Sequence, residues 1–371
     1  NKMNGYDGDS IETRLWYDIK HNGSNIRNIH PVKGGDFPTG PDIFLLSNRN
    51  FDIQNDTIFL IHISGLMSDL NTQLTVKPII ADKSYGMPPD ARQDHNLFFA
   101  TNDSRVLGAF IQNEQIQFVS NTIDTNTGFA AVYHGVLTWD NGEPQIHGNI
   151  ISDTALDFGY PNISYTGNSS TDNQSIITFD HSSPLTNGGF SGIFYKGINK
   201  YSKRITIKEG EYWVHIISGL VERWGDYTGS QKKYNEPGKV WVSGNFSKLI
   251  YVGTMQIKKG LNGTWISEIQ SPFMDNPEPP LDTPSEIITF TYPNPATNYL
   301  IFEFSLPEDM VLEISIFDNN GKKVKTLLNG LAEKGPNYFS FSTEPLNKGI
   351  YFLSLIDGNN IIRTEKFVVG E

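Results

Sequence analysis

The segment YPNISYTG at 160–167, followed by QSIITFDHS at 174–182, GFSGIFYKG at 189–197 and KRITIKEG at 203–210, has the clearest structural pattern in the sequence. Each run is rich in β-branched and aromatic residues, which favour strands. Gly, Asn, Asp and Ser fill the intervals between the runs, as turns require. The pattern predicts a meander of four short antiparallel strands.

Related units recur through residues 1–270. They open with PDIFLLSN at 41–48, HNLFFATN at 95–102 and RWGDYTG at 223–229, so that successive units begin about 54, 65 and 63 residues apart. A repeat of four short strands is typical of a propeller blade, whereas a long β-sandwich, the alternative, requires no fixed interval. We predict an all-β fold with a β-propeller over residues 1–270.

The first 40 residues contain a strand candidate, TRLWYDI at 13–19, but no complete unit. One hypothesis is that this strand closes the last unit, which otherwise shows three strands. The other, which we favour, is that it belongs to an incomplete blade of a propeller truncated at its N-terminus.

Residues 271–286, SPFMDNPEPPLDTPSE, contain many prolines and carboxylates and no basic residue. Proline removes backbone donors and biases its neighbours towards extended geometry, so this stretch predicts a linker between two domains. Downstream, over 287–371, YLIFEFSL at 299–306 and VLEISIF at 311–317 alternate with a period of two. Such alternation, with frequent turn signals, predicts a small immunoglobulin-like β-sandwich.

Composition excludes several classes of function. The 371 residues carry a net charge of −12, which argues against nucleic acid as a partner. The chain has no cysteine, which excludes thiolate metal sites, cysteine nucleophiles and disulfides. No run approaches 18 apolar residues, so we predict no transmembrane segment.

The C-terminal part resembles a known family. YPNPATNYL at 292–300, SIFDNNGKKV at 315–324, GIYFLSL at 349–355 and EKFVV at 365–369 are similar to motifs of the type A sorting domain of the Bacteroidetes type IX secretion system, in the same order. Carried over residue by residue, this resemblance makes the following positions the expected sorting signal: Pro293, Asn294, Pro295, Asp318, Gly321, Gly349, Tyr351, Lys366 and Val368.

Each motif also fits an ordinary sandwich, because proline protects edge strands and Asp-x-x-Gly forms turns. An Ig-like fold similar to that of flagellar hook-capping proteins is the structural alternative for this segment. The upstream part, through ERWGDYTG at 222–229, is similar to blades of large secreted bacterial propeller proteins. That resemblance implies a propeller fold and a secreted location, and it implies no particular activity.

Three residues of that motif, Trp224, Asp226 and Tyr227, are the candidate residues of the propeller channel. Asp226 would act there as a ligand or general base, or would instead cap a turn by accepting backbone N–H groups. Glycoside hydrolysis requires two carboxylates at a defined separation, and no such pair is identifiable from one sequence.

Motifs for other chemistry are incomplete. GGFSGI at 188–193 has Ile193 in place of the final glycine of a nucleophile elbow, and no HExxH or phosphate-binding loop occurs. We expect no cofactor and no metal site, with calcium as the one alternative. Its candidate loops are DGDS at 7–10, DTNTG at 124–128 and NSSTDN at 168–173, which also fit solvated hairpin turns.

Together these features predict a bacterial protein that passes through the periplasm and is secreted or displayed on the outer cell surface. The expected partner of its sorting domain is the outer-membrane machinery of the type IX system, as the resemblance implies. The propeller is expected to bind an extracellular glycan, protein or peptide. The alternative is a secreted glycosidase or peptidase with catalytic carboxylates on the propeller loops.

The linker hypothesis has a direct test. We expect limited proteolysis to cut first within 271–286, because proline-rich acidic segments make few contacts, and to leave fragments of about 270 and about 85 residues. Mass spectrometry of an early time course identifies the cleavage sites. Simultaneous cleavage throughout 1–270 would show that the upstream part is not one compact domain.

Overall fold

The computed structural model contains two compact units, Asn1–Met274 and Asp275–Glu371. Within them the structure describes residues 8, 13–35, 42–65, 72–167, 169, 171–197, 200–217, 219–224, 226–234, 236–253, 256–273, 288–292, 294–306, 308–332, 335–358 and 360–370. Most of the predicted linker therefore lies outside the described residues. Its first residue, Ser271, donates its N–H to the carbonyl of Gly238 at 2.8 Å and belongs to the first unit.

The first unit is built from short and long strands. In chain order they are β1 Lys20–His21, β2 Ser24–Asn25, β3 His30–Pro31, β4 Lys33–Gly34, β5 Ile43–Asn48, β6 Asn55–Ile63, β7 Leu74–Tyr85, β8 Ala91–Arg92, β9 Phe98–Ala100, β10 Val106–Gln112, β11 Gln115–Asp124, β12 Phe129–Asp140, β13 Glu143–Ile151, β14 Asp157–Tyr165, β15 Ser175–Ser183, β16 Thr186–Gly197, β17 Lys200–Tyr201, β18 Ile205–Lys208, β19 Val221–Arg223, β20 Gly229–Lys232, β21 Lys239–Val252 and β22 Ile257–Gln270.

The second unit has seven strands among its described residues. They are β23 Ile288–Tyr292, β24 Tyr299–Leu306, β25 Met310–Asp318, β26 Lys323–Ala332, β27 Gly335–Ser342, β28 Gly349–Asp357 and β29 Asn360–Val369. The predicted all-β class is confirmed, since the described chain otherwise has only a single 3-10 turn at Asp94–Asn96. No helix in the described residues is long and apolar enough to cross a membrane.

Four antiparallel meanders organise the first unit. Strands β3, β5, β6 and β7 form the first meander, and β10 to β13 form the second. These two join into a nine-stranded sheet, because β7 runs parallel to β13 and β4 runs parallel to β10. Only Val32 separates β3 from β4 at the opposite edges, so this sheet nearly closes on itself.

The third and fourth meanders differ in how they end. In the third, β14, β15 and β16 are followed by β17 and β18, both of which pair with β16. In the fourth, β20, β21 and β22 form a sheet in which β22 pairs only with β21. Among the described residues, the fourth meander thus has no fourth strand.

The strands that open the four meanders contact one another in turn. In the first meander, β4 continues β3 after Val32 and makes this contact. Strand β4 pairs with β10 through Lys33 and Phe110. Asn162 of β14 donates its side-chain N–H to the carbonyl of Leu107 in β10 at 3.2 Å, and accepts a hydrogen bond from the Ser230 hydroxyl of β20 at 2.8 Å. Lys33 Nζ then donates to the Ser230 carbonyl at 3.1 Å, which returns the series to its start. The four first strands therefore surround a common centre.

A buried polar side chain stands near the same point on the second strand of each meander. These side chains are Asn48 of β5, Asn121 of β11, Asp180 of β15 and Asn245 of β21. Buried amides and carboxyls are costly without partners, so each must be satisfied. Their partners lie largely on the backbone of neighbouring segments.

Three of these side chains join one meander to the next. Asn48 donates to the Ser104 carbonyl, just before β10, at 2.7 Å. Asn121 accepts the Tyr160 N–H of β14 at 2.8 Å. Asp180 accepts the backbone N–H of Asn245 at 3.0 Å. Complete burial raises the pKa of Asp180 well above its ordinary value, although the hydrogen bonds from Asn245 oppose that shift.

Of the two hypotheses for residues 13–19, closure of the last meander is wrong, and the favoured one, an incomplete blade, stays a prediction. These residues form no strand, and the carbonyl of Ile19 accepts the Ile26 N–H at 2.9 Å. The Ile19 side chain packs with Ile26, Phe59 and Ile61, which belong to a cluster on the first meander. Ile19 thus packs on the first meander, whereas Leu15 and Tyr17 are exposed.

The second unit consists of two antiparallel sheets over one apolar cluster. Strands β23, β24 and β27 form the first sheet, and β26, β25, β28 and β29 form the second. Alternate residues of both sheets face the shared cluster, which includes Phe302, Ile314, Leu353 and Phe367. Burying these side chains supplies the main stabilisation of the unit.

The Asn121 contacts can be tested by substitution. Asn121→Ala removes an acceptor from the Tyr160 N–H and donors from the carbonyls of Thr101 and Asp103, at 2.6 and 3.2 Å. We expect the free energy of unfolding to fall by about 2–4 kcal/mol, since buried backbone groups lose their partners. Denaturant titration measures the loss. Gln145→Ala, an exposed amide on β13, is the matched control, and equal effects at both positions would contradict this role.

Candidate functional site

Most of the expected sorting-signal residues converge at one end of the four-stranded sheet of the second unit. In that sheet Asp318 of β25 lies opposite Tyr351 of β28, and Tyr351 lies opposite Phe367 of β29. Lys366 and Val368 flank Phe367 on the same strand. Motifs separated by up to about 50 residues in sequence thus share one sheet end, because antiparallel pairing brings them into register.

Asn294 joins the first motif to the last strand. Its side chain donates to the Lys366 carbonyl at 3.0 Å and accepts the Val368 N–H at 2.9 Å. Ala296 continues the contact, donating its N–H to the Val368 carbonyl at 2.7 Å and accepting the Gly370 N–H at 3.0 Å. Pro295 is exposed beside this junction, and Pro293 lies outside the described residues.

The Asp318 motif is a tight turn after β25. The Asp318 carboxylate accepts the N–H groups of Asn320 and Lys322 at 2.9 and 3.0 Å, and its carbonyl accepts the Gly321 N–H at 3.0 Å. Gly321 has a φ of 77°, a conformation that glycine adopts without strain. The turn fixes the start of β26.

Tyr351 is buried and oriented by two contacts. Its ring stacks on Phe367 with centroids 5.6 Å apart, and its hydroxyl donates to the Asn347 carbonyl at 2.9 Å. Gly349, two residues earlier, has a φ of 156° and lies opposite Val369. At the surface of this end, Lys366 is exposed and Val368 is half-buried.

The three candidate channel residues have different environments. Trp224 is buried in a core cluster and stacks on Phe99 with centroids 5.1 Å apart, so it faces no channel. Asp226 is half-buried, pairs with Arg223 and accepts a hydrogen bond from the Tyr160 hydroxyl at 3.3 Å. Tyr227 is 52% exposed.

Tyr227 borders a pocket of about 250 Å³ in the first unit. The pocket lies where the first strands β3 and β10 begin and where the chain enters β20. Its wall is formed by Asn28, Ile29, His30, Arg105, Val106, Leu107 and Tyr227. Most of these residues were not singled out in the sequence, because nothing in their local pattern marks them; three separate segments meet there only in the folded chain.

Charges around this pocket are neutralised. Arg105 binds Asp103 with both ends of its guanidinium, at 2.7 and 2.5 Å. Burial, with a smaller effect of the Lys33 charge, lowers the pKa of His30 to about 4, so this imidazole is neutral at pH 7. Asp226 is paired with Arg223 as described above. The pocket wall therefore offers polar and aromatic contacts without an unpaired charge, while Lys33, whose charge acts on His30, forms no ion pair with any described residue.

Ser191 of the GGFSGI motif is hydrogen-bonded but inaccessible. Its hydroxyl lies 2.8 Å from His181 Nδ1 and accepts a hydrogen bond from Arg204 at 2.9 Å. Ser191 and His181 are almost completely buried, and burial lowers the pKa of His181 to about 3. A substrate cannot reach this pair, so it functions in packing.

The described calcium candidates are capped turns. Asp124 accepts the Asn126 N–H at 3.0 Å and the Thr127 hydroxyl at 3.2 Å, and its carbonyl accepts the Gly128 N–H. Burial opposes ionisation of Asp124, but these hydrogen bonds lower its pKa overall. Asp7, Asp9, Asn168 and Ser170 of the other loops lie outside the described residues. Within the described part of the chain, no three His, Asp or Glu side chains are placed to hold a metal.

Comparison with solved structures finds only distant likeness. PorZ, a surface component of the type IX secretion system of Porphyromonas gingivalis, is 10% identical with a TM-score of 0.27 over 90% of this chain. Latent PorU from the same organism is 8% identical with a TM-score of 0.19 over 94%. A GH43_12 protein from a capybara gut metagenome is 10% identical with a TM-score of 0.23 over 93% of this chain and 88% of its own. All these scores are below 0.5 and support no conclusion about function.

This chain spans 59% of the length of the PorZ structure and 33% of that of PorU. No protein with a curated description matches the sequence. The family described as secretion system C-terminal sorting domain matches residues 291–370. That match covers all the motifs that converge at the sheet end. Residues 291–370 are therefore a C-terminal sorting domain, and the protein is exported by the type IX system to the cell surface or the extracellular space.

Proposed function

We propose that residues 1–274 form a four-bladed β-propeller that binds a neutral extracellular glycan, and that residues 287–371 form an Ig-like sandwich recognised by the export machinery. The ring of contacts among the four first strands supports the propeller. Each meander supplies its first strand to a common centre and its later strands to the periphery, as blades do.

The pocket beside Tyr227 is the observation on which the binding proposal depends. Its volume suits one small group, such as a single sugar unit, since pockets for larger ligands exceed it. Tyr227 offers a half-exposed aromatic ring, and Asn28 and His30 offer hydrogen-bonding groups. Because Arg105 is already paired with Asp103, a charged ligand would gain no free counter-charge there.

A hydrolase is less well supported by this geometry. Acid and base catalysis on a glycoside requires two available carboxylates on either side of the bond. The described carboxylates closest to the pocket, Asp103 and Asp226, are each held by an arginine. Release of new reducing ends from a bound oligosaccharide would nevertheless establish the hydrolase and replace the binding proposal.

The pocket is tested by binding of neutral oligosaccharides. We expect Tyr227→Ala to weaken binding about tenfold, which corresponds to about 1.4 kcal/mol. Tyr234→Ala, an exposed tyrosine away from the pocket, should leave the affinity unchanged.

Because the pKa of His30 is about 4, affinity should stay constant from pH 8 down to about 5 and change only as His30 becomes protonated. Calorimetry across this range, with the two variants, measures all three effects.

We also propose that the sheet end containing Asn294, Lys366 and Val368 is the surface that the export machinery recognises. Asn294→Ala removes both hydrogen bonds to β29, so this end of the last strand should loosen and export of the full chain should fall. The readout is the fraction of protein at the surface or in the medium of the native host. Asn329→Ala, an exposed amide on β26 opposite Glu313 and away from that sheet end, is the control. Normal export of a stably folded Asn294→Ala protein would contradict this surface.

A further inference from the structure

The outer edge of strand β22 is paired with no strand among the described residues, although the Trp213 backbone covers one face at Gly260 and Asn262 donates to the Arg223 carbonyl at 2.8 Å. In the first three meanders the third strand, β6, β12 or β16, pairs with later strands on its outer side. In the fourth, β22 is the third strand, is 14 residues long, and pairs only with β21. Alternate residues of such an edge direct N–H and C=O groups outwards, where another strand can pair with them.

The side chains of β22 make this edge unusual for a solvated surface. Ile257 is 60% exposed and Ile266 is 66% exposed, while Trp265 is 39% exposed. Protected edges are short, bulged or highly charged, and this one is long and continuously paired with β21 without a register shift. It therefore has the properties of a pairing surface.

We propose that β22 pairs with β22 of a second copy of this chain, antiparallel across a two-fold axis, to form a continuous six-stranded sheet. A two-fold axis that relates antiparallel neighbours is perpendicular to the sheet, so directly opposed residues project from the same face. Side chains alternate between faces along a strand, and opposed residues must therefore be an even number apart.

The charges of β22 select one such register. Lys258 and Glu268 lie ten residues apart and so share a face. Placing Lys258 of one copy opposite Glu268 of the other puts Gly263 on the axis and creates two ion pairs by symmetry. In this register Ile257 lies opposite Ile269 and Leu261 lies opposite Trp265, so two apolar pairs also meet, and Ile266 lies opposite Gly260. Shifting by two residues in either direction loses both ion pairs.

The neighbourhood of the two charged residues is consistent with this arrangement. Glu268 is bonded to Lys233 at 2.7 Å and lies 3.6 Å from Lys239, which positions its carboxylate on that face. Lys258 is exposed and forms no ion pair with any residue that the structure describes. A second copy would supply a partner for it.

Charge reversal tests the register in the full chain. We expect sedimentation equilibrium to show a dimer whose dissociation constant rises about tenfold or more in Lys258→Glu, because two attractive pairs become repulsive. Lys259→Glu, on the adjacent position but the opposite face, should leave dimerisation unchanged. An equimolar mixture of Lys258→Glu and Glu268→Lys proteins should recover the dimer, since both opposed pairs are again of opposite sign.

Cross-linking provides a second test that does not depend on the cost of Glu268→Lys. The chain contains no cysteine, so Lys258→Cys and Glu268→Cys introduce single thiols. Opposed residues of paired strands lie about 4.5–5.5 Å apart at Cα, within reach of a disulfide. Mixed and oxidised, the two variants should form a covalent heterodimer.

Each cysteine variant alone is the control, because two copies of position 258 would lie about 34 Å apart in this register. A monomeric wild-type chain, or equal cross-linking of each variant with itself, would overturn the proposal.

Discussion

The architecture of the first unit depends on buried polar side chains that bond to the backbone of the following meander. Asn48, Asn121 and Asp180 are all almost fully buried and would each destabilise the fold if left without partners. Asn121 and Asp180 accept N–H groups of the next meander at 2.8 and 3.0 Å. Asn48 donates to the Ser104 carbonyl at 2.7 Å, while its Oδ1 has no hydrogen-bond partner among the described residues. These hydrogen bonds make neighbouring meanders interdependent. Apolar packing alone would not fix one meander relative to the next, because apolar contacts lack direction.

Fixing the meanders relative to one another also determines the centre of the unit. Once β10, β14 and β20 are held side by side, the backbone ends that enter them meet and form the pocket beside Tyr227. Its polar groups are internally compensated, as the Arg105–Asp103 pair shows. As the binding site proposed above, this pocket would distinguish ligands by shape and hydrogen bonding more than by charge.

In the second unit, sorting motifs that are far apart in sequence form one surface. Asn294 precedes Lys366 by 72 residues, yet its side chain bonds to the carbonyl of Lys366 and the N–H of Val368. The first and last motifs of the sorting domain are thus parts of one surface that exists only when both sheets have formed. As the recognition surface proposed above, it would report that folding of the domain is complete, because neither motif presents the surface alone.

The sequence by itself determined the all-β class and the sorting domain, because period-two alternation, turn residues and ordered motifs are local properties. The predicted opening strands of the repeated units match the meanders only at β14. Residues 41–48 contain β5, residues 95–102 contain β9, which pairs with β8 and β19, and residues 223–229 run from the end of β19 to the start of β20. The sequence also located Tyr227, which borders the pocket, but it equally suggested Trp224, which is buried. Local pattern does not reveal which face of a segment is covered. The tertiary structure decided that Ile19 packs on the first meander and that β22 pairs only with β21 among the described residues. It also brought His30, Arg105 and Tyr227 together from three distant segments, since their proximity depends on hydrogen bonds between meanders rather than on neighbouring residues.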